Sequence, residues 1–189
     1  MSADMLTAQP GSTLGSGSLK DAEVRKTLAL LGAFCMFLST IEFMIPKPAP
    51  FLRIGIANLP LMLALDIFPF PAFLMLVGIK VVGQALITGT LFSPIFLFSL
   101  AGTALAAVSM YALRRSLGHR VSFIGVGTLG AMMSTTAQMA LAWLFILGNS
   151  ARFIAPYFFA AGLITGITLG IFCEVFTHRS VWYAARRVR

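Results

Sequence analysis

Lys80 stands alone in an otherwise apolar run over residues 72 to 88, and Gln84 and Thr88 follow it at four-residue intervals. On a helix that spacing puts all three on one face, so the run predicts a polar stripe headed by a cation. A lysine at the centre of a membrane helix costs about 2.5–3.5 kcal/mol on insertion scales. Two readings account for Lys80: it contacts an anionic or carbonyl group of a ligand, or it pairs with Glu42 as a structural ion pair. Glu42, Asn58, Gln84 and Gln138 fall at one depth of four different apolar runs, and with Lys80 they form the candidate substrate-binding set. Single polar residues in such runs also serve as hydrogen-bonding glue between helices, and their shared level is what favours a site.

The elements that must position these residues follow from composition. Of 189 residues, 58% are hydrophobic and 11% charged, against about 25% charged in a soluble domain. Hydrocarbon about 30 Å thick takes about 20 apolar residues of helix to cross, and the apolar runs are too long for barrel strands. The fold class is therefore all-α, an integral membrane bundle of about six helices predicted near 27–45, 54–67, 72–88, 94–113, 122–147 and 154–176. Pro46, Pro48 and Pro50 close the first run, and Pro69 and Pro71 separate the second from the third. Three parts are expected: a flexible tail over 1–26, rich in Ser, Gly and Thr at its start, the membrane domain over 27–176, and a basic tail over 177–189.

The formal charge of +8 is spread at the ends of apolar runs, a topology signal and not a nucleic-acid surface. Lys20, Arg25, Lys26, Arg114, Arg115, Arg120, Arg179, Arg186, Arg187 and Arg189 fall on one side, against Lys47, Arg53 and Arg152 on the other. The positive-inside rule then makes both termini cytoplasmic in a multi-pass protein of the cytoplasmic membrane, with the loop from Pro46 to Arg53 outside. Glu174 is expected to pair with the cytoplasmic arginines. His119 and His178 sit among those arginines and read as interfacial, and Cys35 and Cys173 as small apolar core residues. No G-x-x-x-x-G-K-[ST], H-E-x-x-H or G-x-S-x-G motif occurs, and no metal-ligand spacing, so no catalytic residues, metal or cofactor are expected.

Two small-residue patterns remain. Gly162, Gly166 and Gly170 form a ridge that lets another helix approach closely. Ala29 and Ala33 make a similar pair in the first run, facing either a neighbour in the bundle or a separate membrane partner.

The stretch IEFMIPKPAPFLRIGIANLPLMLAL (41–65), Lys80 in its helix, and GTLFSPIFLFSLAG (89–102) resemble the membrane family labelled Gx transporter or heptaprenyl diphosphate synthase component I. The resemblance spans roughly 27–176. Its most specific pieces are Glu42-x-x-Ile45-Pro46, Gly55-Ile56-Ala57-Asn58 and Gly89-Thr90-Leu91-Phe92-Ser93-Pro94. That family looks like the substrate-binding S components of energy-coupling factor (ECF) transporters. The resemblance implies six helices, capture of a vitamin-like or cofactor-precursor small molecule, and a transmembrane coupling protein with two ATPase subunits as partners. It implies a coupling-protein docking role for Ala29 and Ala33, and a lid over the site carrying Lys47 and Arg53. The enzyme label fits poorly, because prenyl diphosphate synthases need aspartate-rich metal sites and only Asp4, Asp21 and Asp66 are present. The alternative is a non-catalytic membrane subunit associated with prenyl diphosphate or quinone synthesis, or with flavin-linked electron transfer.

Overall fold

A computed structural model describes residues 13–45 and 55–186, and every regular element among them is helical. Five helices are long: α1 (Thr13–Met44), α3 (Phe70–Ile87), α4 (Pro94–Leu117), α5 (Phe123–Ala142) and α6 (Ala151–Arg179). Two are short, α2 (Leu59–Ala64) and α7 (Val181–Ala184). Among the described residues four apolar segments are long enough to cross a bilayer, Ala22–Met44, Phe70–Ile87, Pro94–Leu117 and Phe123–Arg179. The last contains both α5 and α6, which run antiparallel: Gly170 faces Ile124, Gly166 faces Gly127 and Gly162 faces Thr135.

The boundaries have local causes. Prolines sit in the first turns of α2, α3 and α4, where a missing N–H costs no helical bond. Ser93 and Ser122 cap α4 and α5, each hydroxyl accepting a backbone N–H at 3.3 Å. Gly89, Gly118 and Gly148 turn the chain after α3, after α4 and before α6 with φ of 65°, 57° and 51°. α1 extends back to Thr13, so the helix continues into the stretch whose Ser and Gly content predicts a tail.

The second run is the main departure from the sequence reading. Instead of a spanning helix over 54–67 there is a 3-10 turn, Ile56–Asn58, followed by the six residues of α2, all buried. α2 packs against α1, α3, α5 and α6 and so occupies the centre of the bundle. Its full burial explains its composition: LPLMLA has no face that must meet lipid or water, and Leu61, Met62 and Ala64 are at most 1% exposed. Leu30, Phe37, Met75, Leu86, Ile164 and Phe172 point outward instead, an apolar exterior suited to lipid. Cys35 and Cys173 are buried free thiols.

A polar cluster anchors the far end of α2. Arg114 donates from Nε to Asp66 Oδ1 at 2.8 Å and from Nη2 to Oδ2 at 2.7 Å, a bidentate pair buried on both sides. Its Nη1 donates to the Val121 carbonyl at 2.6 Å, and its guanidinium lies 4.6 Å from the Phe123 ring centroid. The Tyr183 hydroxyl of α7 donates to Asp66 at 3.3 Å. Arg114 thus belongs to the last turn of α4 and is no exposed topology marker. Glu174 adds to the negative charge acting on Arg114, as expected of it, and takes two further partners. Its carboxylate accepts the Phe123 N–H at 2.8 Å, capping α5, and meets the His178 ring at 3.3 Å.

The α5–α6 contact is backbone on backbone. A Cβ on Gly166 would lie 2.8 Å from the Gly127 carbonyl oxygen and 2.9 Å from Ala131 Cβ, inside any real contact. Gly166→Val should therefore push α6 off α5 and lower stability in detergent by about 1–3 kcal/mol. An unchanged unfolding midpoint would show that the ridge has slack.

A polar cavity as candidate binding site

Glu42 lies in the last turns of α1, 2% exposed. Its two carboxylate oxygens accept the backbone N–H groups of Gly55 at 2.9 Å and Ala57 at 3.1 Å. One acidic side chain so holds the start of the α2 segment, and charge-assisted bonds of this kind are about twice as strong as neutral ones. The turn needs glycine at its first position: Gly55 has φ 97°, and a Cβ there would also come within 3.2 Å of Asn58 Nδ2.

That turn delivers Asn58 to the bundle interior, where its Oδ1 accepts a close hydrogen bond from Lys80 Nζ. Lys80 Nζ also lies 3.4 Å from Thr103 Oγ1 on α4. Across from them, Gln138 Nε2 donates to Ser134 Oγ at 2.9 Å on α5. Gly102 permits the approach of α4 to α5, since a Cβ there would sit 2.9 Å from Ser134 Oγ and 3.0 Å from Gln138 Nε2. Ser99 Oγ is buried with no hydrogen-bond partner among the described residues.

Glu42, Asn58, Lys80, Gln84 and Gln138 all line one small cavity, with Gly55, Ala57, Ser99, Thr103 and Ser134 completing the wall. The structure therefore brings the five residues of the sequence-derived set together. Thr88 does not join them: its hydroxyl donates to the Gln84 carbonyl at 2.8 Å and lies 2.8 Å from the Thr90 hydroxyl, closing the end of α3. Lys47 and Arg53 lie outside the described residues. Ala29 and Ala33 are exposed on the outer surface of α1, so they face away from the bundle.

The free space amounts to about one water molecule. A second cavity of similar size shares Gly55 and Asn58 with it and is otherwise walled by residues such as Met62, Met110, Thr165 and Leu169. The Gly55–Asn58 turn thus forms part of the wall of both. Chemically the first cavity offers one carboxylate, one ammonium, three side-chain amides and three small hydroxyls. That inventory can hydrogen-bond the polar atoms of a small molecule. Among the described residues no three His, Cys, Asp or Glu side chains are grouped to hold a metal ion.

Sequence reasoning missed Ser99, Thr103 and Ser134, and it missed the backbone amides of Gly55 and Ala57. Ser99 and Thr103 are four apart on α4, as are Ser134 and Gln138 on α5, and that pairing was the available signal.

A family model described as heptaprenyl diphosphate synthase component I matches residues 31–176. No curated protein and no solved structure matches the chain.

Proposed function

The chain belongs to the heptaprenyl diphosphate synthase component I family, and with the polar cavity as the deciding observation we propose that it is a substrate-binding subunit of an ECF-type transporter. The ligand is a small, polar, vitamin-like or cofactor-precursor molecule. Lys80 and Glu42 carry opposite charges into the interior of an apolar bundle, an arrangement costly enough to favour a use for it. In this reading Lys80 contacts an anionic or carbonyl group, while Asn58, Gln84 and Gln138 meet hydrogen-bonding edges. A ligand larger than water enters as the Gly55–Asn58 turn moves away from its partners.

The sequence contains no phosphate-binding loop, so energy for release comes from partner ATPases through a coupling protein. Exposure of Ala29 and Ala33 supports docking of that protein on α1, because small residues let a partner helix approach closely. Replacing both with Phe should weaken copurification of the coupling module at least tenfold and leave ligand binding unchanged. Equal loss of both would trace the effect to folding of α1 and overturn the docking role. The asymmetry of the basic residues supports an orientation with both termini in the cytoplasm of a cytoplasmic-membrane protein. Reporter tags at either terminus should read cytoplasmic and one beside Lys47 external; an external C-terminus would refute that orientation.

The test of function is mass spectrometry of small molecules released from detergent-purified protein, with the copurified proteins identified in parallel. A stoichiometric polar metabolite and an ATPase module support transport. The family's description favours a second reading, a non-catalytic membrane partner of a soluble prenyl diphosphate synthase. Recovery of such a synthase with no bound metabolite would establish that reading in place of the first.

A further inference from the structure

A larger cavity lies away from the polar site, on the outer face of the α5–α6 hairpin. It is a groove of about 340 Å³ lined by residues including Met139, Ala140, Trp143, Arg152, Ala155 and Phe159. Its shape comes from irregular backbone. α5 passes into a π-helical turn over Trp143–Leu147, Gly148 reverses the chain at φ 51°, and Pro156 has no N–H to offer the Arg152 carbonyl. The wall is apolar apart from Thr136, whose hydroxyl bonds the Met132 carbonyl of its own helix, and Arg152, exposed in the first turn of α6. No acidic residue occupies that turn, and Arg152 makes no ion pair with a described residue. Trp143 in the groove wall, and Phe153 and Tyr157 elsewhere on the first turns of α6, are all more than half exposed, as aromatic side chains are at the headgroup level of a bilayer.

We infer that this groove is a binding site for an anionic phospholipid, with one acyl chain lying along Met139, Ala155 and Phe159 and the headgroup phosphate on Arg152. The occupant reaches the groove laterally, because the groove opens on the same outer surface that meets lipid tails. Charge selects the headgroup: Arg152 offers a planar set of donors to phosphate oxygens, and the positive end of the α6 dipole adds to it. A cation at the end of an apolar groove is matched by an amphiphile with one negative group and an apolar chain. A free anion would leave the groove empty, and a zwitterionic lipid would bring its own cation close to Arg152 and offset the attraction of its phosphate.

The test uses the full chain in nanodiscs of equal phosphatidylglycerol and phosphatidylcholine with identical acyl chains, and counts lipids retained on gentle release by native mass spectrometry. Phosphatidylglycerol should be retained about fivefold over phosphatidylcholine, the factor that ~1 kcal/mol per surface arginine gives. Arg152→Gln should bring that ratio to about one. Arg115→Gln, an exposed arginine at the opposite end of the bundle, should leave it unchanged. Ala140→Phe, at an exposed position on the groove wall, should lower retention of both lipids without shifting the unfolding midpoint. Equal retention of the two lipids by the natural sequence overturns the site. So does an Arg115→Gln effect as large as that of Arg152→Gln, or retention that Ala140→Phe does not alter.

Discussion

Arg114→Met should destabilise the protein by about 3–5 kcal/mol, because it strands the Asp66 carboxylate in a site built for a bidentate partner. Both side chains are under one tenth exposed, and the guanidinium makes a third bond to the Val121 carbonyl. The Tyr183 hydroxyl at 3.3 Å is a neutral donor and a weaker partner for a buried charge than the guanidinium. For a chain of this size the loss corresponds to a fall on the order of 10 °C in Tm. Asp66→Leu with Arg114→Met removes both charges and keeps apolar volume, so it should recover most of that loss. Thermal unfolding in one detergent, followed by size-exclusion of the soluble fraction, measures both variants. If Arg114→Met unfolds within a degree or two of the natural sequence, Asp66 has another counter-charge and the pair does not hold α2. The consequence reaches the cavity, since α2 is tied at Asp66 and at the Glu42-bound turn, and Asn58 sits between those ties.

The Asp66–Arg114 pair shows where reading a sequence stops. Its members are 48 residues apart, and Arg114 stands beside Arg115 in a run of helix-end arginines that reads as a topology signal. Nothing local distinguishes the buried member from the exposed one. Lys80 and Gln84 were legible for the opposite reason, because a charge inside a long apolar run is conspicuous and a four-residue interval fixes its face. The hydroxyls were hidden by numbers. Thr40, Ser116, Thr136, Thr165 and Thr168 each donate to the carbonyl four residues back on their own helix. Ser99, Thr103 and Ser134 share their chemistry and spacing yet turn to the cavity. Glu42 was legible as a residue but its partners were not, because backbone N–H groups leave no mark in a sequence. The second run reads as a short span packed against its neighbours or bent, and it is packed, but its helix is only six residues long; the sequence hides that because full burial in protein and exposure to lipid select the same side chains.

Lys80→Met should weaken binding of the metabolite released from the purified protein by roughly ten- to a hundredfold, with folding preserved. That range follows from the roughly 1.5–3 kcal/mol that a hydrogen bond to a charged group contributes. Methionine keeps most of the apolar stem and removes the ammonium, so packing against the rest of α3 changes little. Within the protein the substitution removes the hydrogen bond to Asn58 Oδ1 and the more distant one to Thr103 Oγ1 at 3.4 Å. Asn58 retains an amide that can turn toward a ligand or water, so the site does not collapse when the lysine goes. The competing account makes Lys80 the structural counter-charge of Glu42, which lines the same cavity. In that case Lys80→Met leaves a buried carboxylate with too little compensation and lowers Tm, and Glu42→Gln added to it restores stability. Isothermal titration with the released metabolite and thermal unfolding of the single and double variants separate the two. Reduced affinity at unchanged Tm assigns Lys80 to the ligand. A stable Lys80→Met protein that binds as the natural sequence does would exclude that role, and the polar cavity would then be interhelical hydrogen bonding alone.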